Sequence, residues 1–133
     1  MNEETLEAAA LWRRLDTRGT DAARVFRTPT GWRLAGNAVF LAQLTKSPAQ
    51  LDYDVHFAGD WSTQRGRIRG FVGQRAIDQT IVRDLAGWSV NGTRVPGLAH
   101  VVDLDLGFTP ATNFAQLRRI ALGIGEAADF SVA

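Results

Sequence analysis

Cysteine is absent from this sequence of 133 residues, and lysine, methionine and tyrosine occur once each. Without cysteine the chain has no disulfide bond, no thiol nucleophile and no thiolate metal ligand. No apolar run approaches the roughly 20 residues that a membrane-spanning helix needs. The N-terminus carries Glu3, Glu4 and Glu7 in place of the basic residues of a signal peptide. These absences favour a cytoplasmic protein without a membrane span.

Positive and negative charges nearly cancel, with 15 basic residues against 14 acidic residues. Arg65, Arg67, Arg69 and Arg75 surround Phe71 in an arrangement that single-stranded nucleic-acid binders use. Aspartates on the neighbouring segments neutralise these arginines in the predicted hairpins, and the net charge of +1 agrees with that interpretation. We therefore expect no nucleic-acid partner.

Residues 51–57 give the clearest strand. Leu51, Tyr53, Val55 and Phe57 fall on one face, while acidic residues and a histidine alternate with them on the other. Such a period of two is typical of a strand in a sheet with one buried face. The sequence therefore predicts that the apolar face of this strand lines the core.

Residues 62–72 are predicted to pair with this strand as a hairpin. If Phe57 lies opposite Ser62, then Asp54 lies opposite Arg65, and a register shifted by two residues also keeps acid against base. The charged faces and the apolar faces of both strands then agree. That agreement favours an antiparallel hairpin.

Further turn signals extend the pattern into a meander of consecutive hairpins. Glycine at position 73 suits a type II′ turn that places Arg69 opposite Asp78, and Asn91-Gly92 is the strongest short hairpin signal in the chain. The other strands are expected at residues 21–28, 32–41, 75–83 and within 88–95, with turns at 29–31 and 85–87 and a loop at 45–49.

Residues 114–122 form the best-signalled helix. Asn113 can cap it, and Gln116 three positions later completes a capping-box-like pair. Gly123 suits the position after its end. The apolar face expected to pack against the sheet consists of Phe114, Leu117, Ile120, Ala121 and Ile124.

The segment before this helix, residues 101–106, alternates in strand fashion. Asp103 and Asp105 are expected on one face, with apolar residues on the other. Pro110 then holds the preceding residue in an extended conformation. The sequence therefore predicts a strand, a break and a helix in quick succession.

These stretches also carry a family resemblance. DLDLGFTPATN at 103–113, LRRIALGIGEAA at 117–128 and LWRRLD at 11–16 resemble a bacterial family named for glycolipid binding. The resemblance implies the spiral β-roll fold, a long antiparallel sheet wrapped around a single helix. It runs from about residue 11 to the end of the chain. Members of the family normally continue further, so we expect this chain to lack the family's usual C-terminal part.

Residues 2–10 have the composition of a helix, whereas the resemblance implies a strand at 11–15. We therefore expect an N-terminal extension over residues 1–10 with at most a short helix or a frayed arm. The rest completes a single β-roll domain over residues 1–133. The predicted fold class is mainly β, a β-rich α+β protein whose curved meander sheet surrounds helix 114–122.

Signals for chemistry are weak. Asp52, Asp54 and His56 share a strand face and could hold a divalent metal, but the predicted hairpin already pairs the acids with arginines. The G-x-G-x-x-A sequence at 123–128 lacks the strand and helix of a dinucleotide site, and no serine lies in a G-x-S-x-G elbow. We expect no metal and no cofactor, and a carboxylate-based enzyme is the least favoured function.

The resemblance implies non-catalytic binding of a lipid or glycolipid-like amphiphile in the apolar concavity. The competing interpretation is an interaction module whose helix fills the roll and leaves no cavity. Unpaired strand edges near residues 131–133 favour a homodimer. The tail is expected along the inward face of 51–57 and the head group near the helix ends. The ligand-binding residues expected on this basis are Tyr53, Asp103, Asp105, Asn113, Phe114, Leu117, Arg118, Arg119 and Ala121.

Overall fold

A computed structural model describes residues 3–121, 123–129 and 131–133 of the chain. Its main feature is one antiparallel sheet whose eight strands are adjacent in chain order. The strands are β1 (Thr5–Arg13), β2 (Gly19–Thr28), β3 (Gly31–Leu41), β4 (Pro48–Ala58), β5 (Thr63–Val72), β6 (Arg75–Asp84), β7 (Gly87–Val90) and β8 (Thr93–Val95). Within the described residues one helix, α1 (Asn113–Ile120), follows them. The predicted fold class, a mainly β protein with a curved meander sheet and one helix, is confirmed.

Tight turns explain why consecutive strands pair. Asn91 and Gly92 both have positive φ angles, 49° and 83°, as the type I′ turn between β7 and β8 requires. Gly73 has a φ of 59° and opens the turn between β5 and β6. The register that follows places Arg69 opposite Asp78, as the sequence predicts.

The hairpin of β4 and β5 has a register shifted by two residues from the first one considered. Asp54 lies opposite Arg67, where the sequence analysis placed Arg65. Phe57 lies opposite Thr63 in place of Ser62, which accounts for one residue, and a bulge between Phe57 and His56 accounts for the other. Because the shift is even, acid still faces base and the apolar side chains stay on one face.

The N-terminal residues form a strand, which corrects the predicted short helix or frayed arm. β1 pairs with β2 from Thr5 to Arg13 with one irregularity at Glu7. The Glu7 carboxylate lies 3.2 Å from the Arg27 guanidinium on β2. A short isolated helix is marginal in water, so the backbone hydrogen bonds that β2 offers decide the conformation. Asn2, where the predicted helix begins, lies outside the described residues.

The two faces of the sheet differ in what covers them. Residues 101–116, here called the covering segment, pack against one face, which we call the inner face. The buried core of that face includes Val25, Leu34, Leu51, Tyr53, Val55, Phe57, Ile68, Ile81 and Trp88. The opposite, outer face carries alternating arginines, aspartates and alanines. The covering segment itself adds Leu104, Leu106, Ala111 and Ala115 to the core.

Helix α1 turns a different side toward the protein from the one predicted. Its buried residues are Ala115 and Gln116. Leu117 is 58% exposed, and Ala121 and Ile124 are also exposed. The expected apolar face is therefore wrong beyond its first turn. The helix alone does not fill the sheet's inner face, because most of the cover comes from the irregular chain before it.

A polar stripe explains this rotation of the helix. Arg119 forms an ion pair with Asp103, which is buried beneath the helix. Thr112 and Gln116, on the same side of the helix as Arg119, are buried with it. Thr112 is the N-cap residue but makes no side-chain capping bond. The predicted capping pair of Asn113 and Gln116 does not form, because the Gln116 side chain points into the protein.

The end of the helix also differs from the prediction. Ala121 adopts a left-handed conformation with a φ of 52°, and its N–H donates to the Leu117 carbonyl at 3.1 Å. This closes the helix two residues before Gly123, the glycine expected at that position. The predicted last helical residue, Leu122, lies outside the described residues.

Residues 101–106 do not form the predicted strand. Their ladder pairing is one isolated parallel bridge between Asp103 and Val132. Asp103 is buried whereas Asp105 is exposed, so the two side chains do not share an environment. Backbone hydrogen bonds join Asp105 N–H to the Ala133 carbonyl at 2.9 Å and Ala133 N–H to the Asp103 carbonyl at 2.8 Å. The C-terminal residues thus pair with the covering segment.

Candidate functional site

Two hollows open on opposite faces of the sheet. The first, here called the inner cavity, measures about 400 Å³ and lies at the β5–β8 end of the inner face. The second, the outer groove, measures about 890 Å³ and crosses strands β1 to β5 on the outer face. Both volumes fall within the range of small-molecule sites, roughly 300–1,000 Å³. Their linings have different chemistry.

Apolar side chains dominate the inner cavity. Trp88 forms a fixed part of the lining. Its side chain is 2% exposed, and its indole N–H donates to the Val101 carbonyl at 2.9 Å. Gln79 and Asp105 are the polar side chains of the lining. The apolar side chains are those of Ile68, Ile81, Trp88, Val90, Val95, Leu98, Leu104, Leu106, Phe108 and Ala133.

The inner cavity exists because the covering segment fills one half of the inner face better than the other. Over β3–β5 the Phe108 ring packs edge-on against Tyr53 at 5.8 Å, and Phe114 packs against Trp61 at 5.4 Å. Over β6–β8 the segment contributes aliphatic side chains, those of Leu104 and Leu106, and the exposed Gly107 carries no side chain. Space therefore remains at that end.

A buried polar contact closes the filled half. The Tyr53 hydroxyl donates to the Asp21 carboxylate at 2.8 Å and lies 3.3 Å from the Thr109 hydroxyl. Burial raises the pKa of Tyr53 well above its ordinary value of 10. Asp21 is 3% exposed. Tyr53 thus ties β2, β4 and the covering segment together.

The ion pair between Asp103 and Arg119 is a second buried polar contact, and it joins helix α1 to the chain before it. Burial raises the pKa of Asp103 even though Arg119 beside it favours the charged carboxylate. The hydroxyl of Thr63 and the side-chain nitrogen of Gln116 are buried without a hydrogen-bond partner among the described residues. The Arg119 guanidinium therefore offsets only part of the cost of burying the Asp103 carboxylate.

Charged side chains form the walls of the outer groove. Two nitrogens of Arg33 bond the Asp54 carboxylate at 2.7 to 3.1 Å, and a third bonds Glu4 at 2.9 Å. His56 lies 3.0 Å from Asp54, and burial lowers the pKa of this imidazole. The complete set of charged lining residues is Arg24, Arg33, Asp52, Asp54, Arg67 and Arg69. Alanines form much of the floor between them.

The residues that the sequence offers as metal ligands make hydrogen bonds and ion pairs with other side chains. Asp52 accepts a hydrogen bond from Asn37, and Asp54 is held by Arg33 and His56. In the described part of the chain, no three histidine, aspartate or glutamate side chains form a group suited to a metal ion. Over the same residues, no helix has the length and apolarity needed to cross a membrane.

The structure disperses the ligand-binding residues that the sequence suggests. Asp105 lies in the lining of the inner cavity, and Tyr53 borders the outer groove although its side chain is buried in the core of the inner face. Asp103 and Arg119 come together as an ion pair beneath the helix. The others lie around the helix, with Asn113, Leu117, Arg118 and Ala121 exposed and Phe114 half-buried.

Sequence reasoning missed most of the inner cavity. Ile81, Val90 and Val95 are recognisable as strand residues, but many residues of the chain have that character. What distinguishes them is that they border the inner cavity together with Leu104 and Leu106 of the covering segment. One signal was present in the sequence, since Gly107 removes a side chain from an otherwise apolar run.

Comparison with known proteins agrees with this architecture. A crystal structure of a DUF1089 family protein from Pseudomonas aeruginosa superposes with a TM-score of 0.67 at 22% sequence identity. The match covers 90% of this chain and 64% of that one, and at this identity it shows the fold alone. No curated protein matches the chain. A family model described as "Putative glycolipid-binding" matches residues 9–133, and the chain belongs to that family.

Proposed function

We propose that the protein binds a glycolipid-like amphiphile without catalysis and that the inner cavity holds the alkyl tail. The observation that carries this proposal is an apolar hollow at one end of the core, bordered by Ile81, Trp88 and Val90. A space of about 400 Å³ between apolar walls suits a flexible hydrocarbon chain. The family description supports the same class of ligand.

This position differs from the one that the sequence suggests. Leu51, Tyr53, Val55 and Phe57 are at most 5% exposed, so the inward face of β4 has no room for a tail. The filled-core interpretation therefore describes the β3–β5 half of the sheet. The lipid-binding interpretation applies to the β5–β8 half, where a hollow remains.

The polar side chains of the cavity lining favour an uncharged, hydroxylated head group. Asp105 is exposed and offers carboxylate oxygens that accept hydrogen bonds from hydroxyl groups. Gln79 lies in the same lining and offers both a donor and an acceptor. A fatty acid would bring its carboxylate close to Asp105, where like charges repel each other. An alkyl glycoside is therefore expected to bind more tightly than a fatty acid of equal chain length.

A chain-length series tests this proposal. Octyl, decyl and dodecyl glucosides, kept below their critical micelle concentrations, compete with the neutral fluorescent probe N-phenyl-1-naphthylamine. Each buried methylene adds about 0.8 kcal/mol, so affinity should rise about fourfold per methylene until the cavity is full. Absence of saturable binding, or affinity independent of chain length, would contradict a tail-binding cavity.

A pair of glycine variants locates the site. Gly107→Trp adds a large side chain in the cavity lining, and its backbone is not in the left-handed region. Gly59→Trp is the matched control, because an added side chain there also meets nothing within 4 Å and lies outside both hollows. Gly107→Trp should weaken decyl glucoside binding at least tenfold, whereas Gly59→Trp should leave it unchanged. Equal effects of the two variants would place the tail elsewhere.

The homodimer expected from the sequence stays a prediction, and the structure indicates an edge that could form it. In the described part of the chain, β1 pairs with β2 on one side and with no strand on the other. Antiparallel pairing of two copies centred on Ala10 would bring Glu7 opposite Arg13 of the second copy. Sedimentation velocity at high micromolar concentration should show a dimer, and a monomer at that concentration would rule it out.

A further inference from the structure

The outer groove has a floor of small side chains. Ala9, Ala22 and Ala35 belong to three neighbouring strands and all line the groove. Their methyl groups leave room for a ligand to approach the sheet closely. A floor of this kind offers apolar contact with the C–H groups of a flat molecule.

The charges of the groove balance one another. Four arginines and two aspartates line it. Glu4 and Asp78, which are not part of the lining, pair with two of those arginines, Arg33 and Arg67. Four carboxylates therefore face four guanidinium groups, and the local net charge is zero. An uncharged ligand is better matched to this groove than an anion or a cation.

Several hydrogen-bonding groups in the walls are left unused. Arg24 and Arg69 make no hydrogen bond or ion pair with the described residues, although both line the groove. The Arg24 guanidinium lies 5.1 Å from the centre of the Phe26 ring, a cation–π contact. Asp52 receives one hydrogen bond, from Asn37, and keeps further acceptor capacity. The groove thus presents donors and acceptors side by side.

We propose that the outer groove binds a neutral saccharide. Each sugar hydroxyl both donates and accepts hydrogen bonds, and a pyranose ring presents C–H groups to an apolar floor. Arg24 and Arg69 would donate to sugar oxygens, and Asp52 would accept from sugar hydroxyls. This site does not rest on the proposed tail site, because the inner cavity lies on the opposite face of the sheet.

An oxyanion such as sulfate or phosphate is the main competing ligand. Guanidinium groups bind such anions strongly, and Arg24 and Arg69 have no hydrogen-bond partner among the described residues. Against this, Asp52 and Asp54 stand in the walls and would repel an anion. Sulfate therefore serves as the competitor that separates the two chemistries.

A glycan array carrying neutral, sialylated and sulfated oligosaccharides is the probe for this proposal. The labelled full chain should bind at least one neutral glycan saturably, and excess sodium sulfate at constant ionic strength should not displace it. Binding of no neutral glycan would overturn the proposal. Displacement by sulfate, or binding of sulfated glycans alone, would overturn it as well and indicate an anion site.

Matched variants locate the glycan on the protein. Loss of a hydrogen bond to a charged group is expected to weaken binding about ten- to a hundredfold, so Arg69→Gln and Asp52→Asn should each show that effect. Arg65→Gln and Asp84→Asn, both exposed and outside the groove lining, should leave the affinity unchanged. Equal effects of the groove and control variants would refute the assignment.

Two further experiments test the source of the sugar and the independence of the two sites. The array-selected glycan is titrated free in solution and displayed on a lipid in phosphatidylcholine vesicles, and binding in either form supports the proposal. Gly107→Trp should abolish probe displacement by decyl glucoside yet leave the free glycan bound. Asp52→Asn should weaken binding of the free glycan yet leave probe displacement by decyl glucoside unchanged. Loss of both activities in either variant would contradict two separate sites.

Discussion

The two faces of the sheet use the same side-chain chemistry in opposite ways. On the inner side, Asp103 is buried beside one arginine, and burial raises its pKa. On the outer side, Asp78 is exposed, and a hydrogen bond from Arg67 lowers its pKa. The inner face stabilises the fold by excluding water, whereas the outer face stays wet and keeps its charges paired. A tail and a sugar would therefore find suitable surroundings on different sides of one sheet.

Removal of one aromatic side chain from each face should show the largest contrast. Trp88→Ala deletes a fully buried indole, and such substitutions cost about 3–5 kcal/mol of unfolding free energy. Phe71→Ala on the outer face removes a side chain that is 40% exposed and should cost about 1 kcal/mol or less. Urea unfolding measures both values. Similar costs would mean that the two faces contribute equally to stability.

The buried contact of Tyr53 should come next in size. Tyr53→Phe leaves the buried Asp21 carboxylate without its donor, which should cost about 1–3 kcal/mol of unfolding free energy. Adding Asp21→Ala removes the stranded carboxylate and should recover part of that loss. If Tyr53→Phe lowers the unfolding free energy by less than about 0.5 kcal/mol, the hydrogen bond contributes no more than an exposed one does.

Asp103 and Asp78 should contribute to the pH dependence of the unfolding free energy with opposite signs. The raised pKa of Asp103 means that the folded state binds its proton more tightly than the unfolded state does. Its contribution is fully present below the ordinary value of 3.8 and is lost as pH rises through the raised pKa. The lowered pKa of Asp78 gives a contribution that is present above 3.8 and is lost as pH falls through the lowered pKa.

Urea unfolding of wild type, Asp103→Asn and Asp78→Asn across acidic pH measures these two contributions. The unfolding free energy of wild type minus that of Asp103→Asn should decrease as pH rises. The corresponding difference for Asp78→Asn should increase. A common sign for both variants would show that burial does not dominate at Asp103.

The smallest effect should come from the outer ion pairs. Arg33 and Asp54 lie on adjacent strands and are partly exposed, so a double-mutant cycle with alanine should give a coupling of about 0.2–1 kcal/mol. The same cycle on Arg65 and Asp54 should give additive effects, because β5 places Arg67 opposite Asp54. A larger coupling for Arg65 would restore the register first considered from the sequence.

The sheet could be predicted from the sequence because its determinants are local. Alternation sets which residues of β4 face inward, and turn residues such as Gly73 and Asn91 set where the strands reverse. Registers that rest on a short turn are correct, as for Arg69 opposite Asp78. The β4–β5 register needed two further facts, the pairing of Phe57 with Thr63 and the bulge beside Phe57, and neither leaves a signal in the alternation.

The covering segment and the sites could not be predicted in the same way. Asp103 resembles a surface aspartate in the sequence, and Arg119, sixteen residues away, is what makes its burial tolerable. That pair turns a polar stripe of α1 inward and leaves Leu117 exposed. The position of the inner cavity then depends on where Phe108 and Gly107 lie above the sheet. Such contacts are set by the packed chain and not by any local pattern.

The most direct test of the proposed tail site is an NMR titration of ¹⁵N-labelled protein with decyl glucoside below its critical micelle concentration. The indole N–H of Trp88 and the backbone amides of Ile81 and Val90 should shift along saturable curves, and these shifts should vanish in Gly107→Trp but persist in Gly59→Trp. Saturable shifts confined to residues 114–121, or shifts scattered over the exposed apolar side chains, would contradict a tail-binding inner cavity.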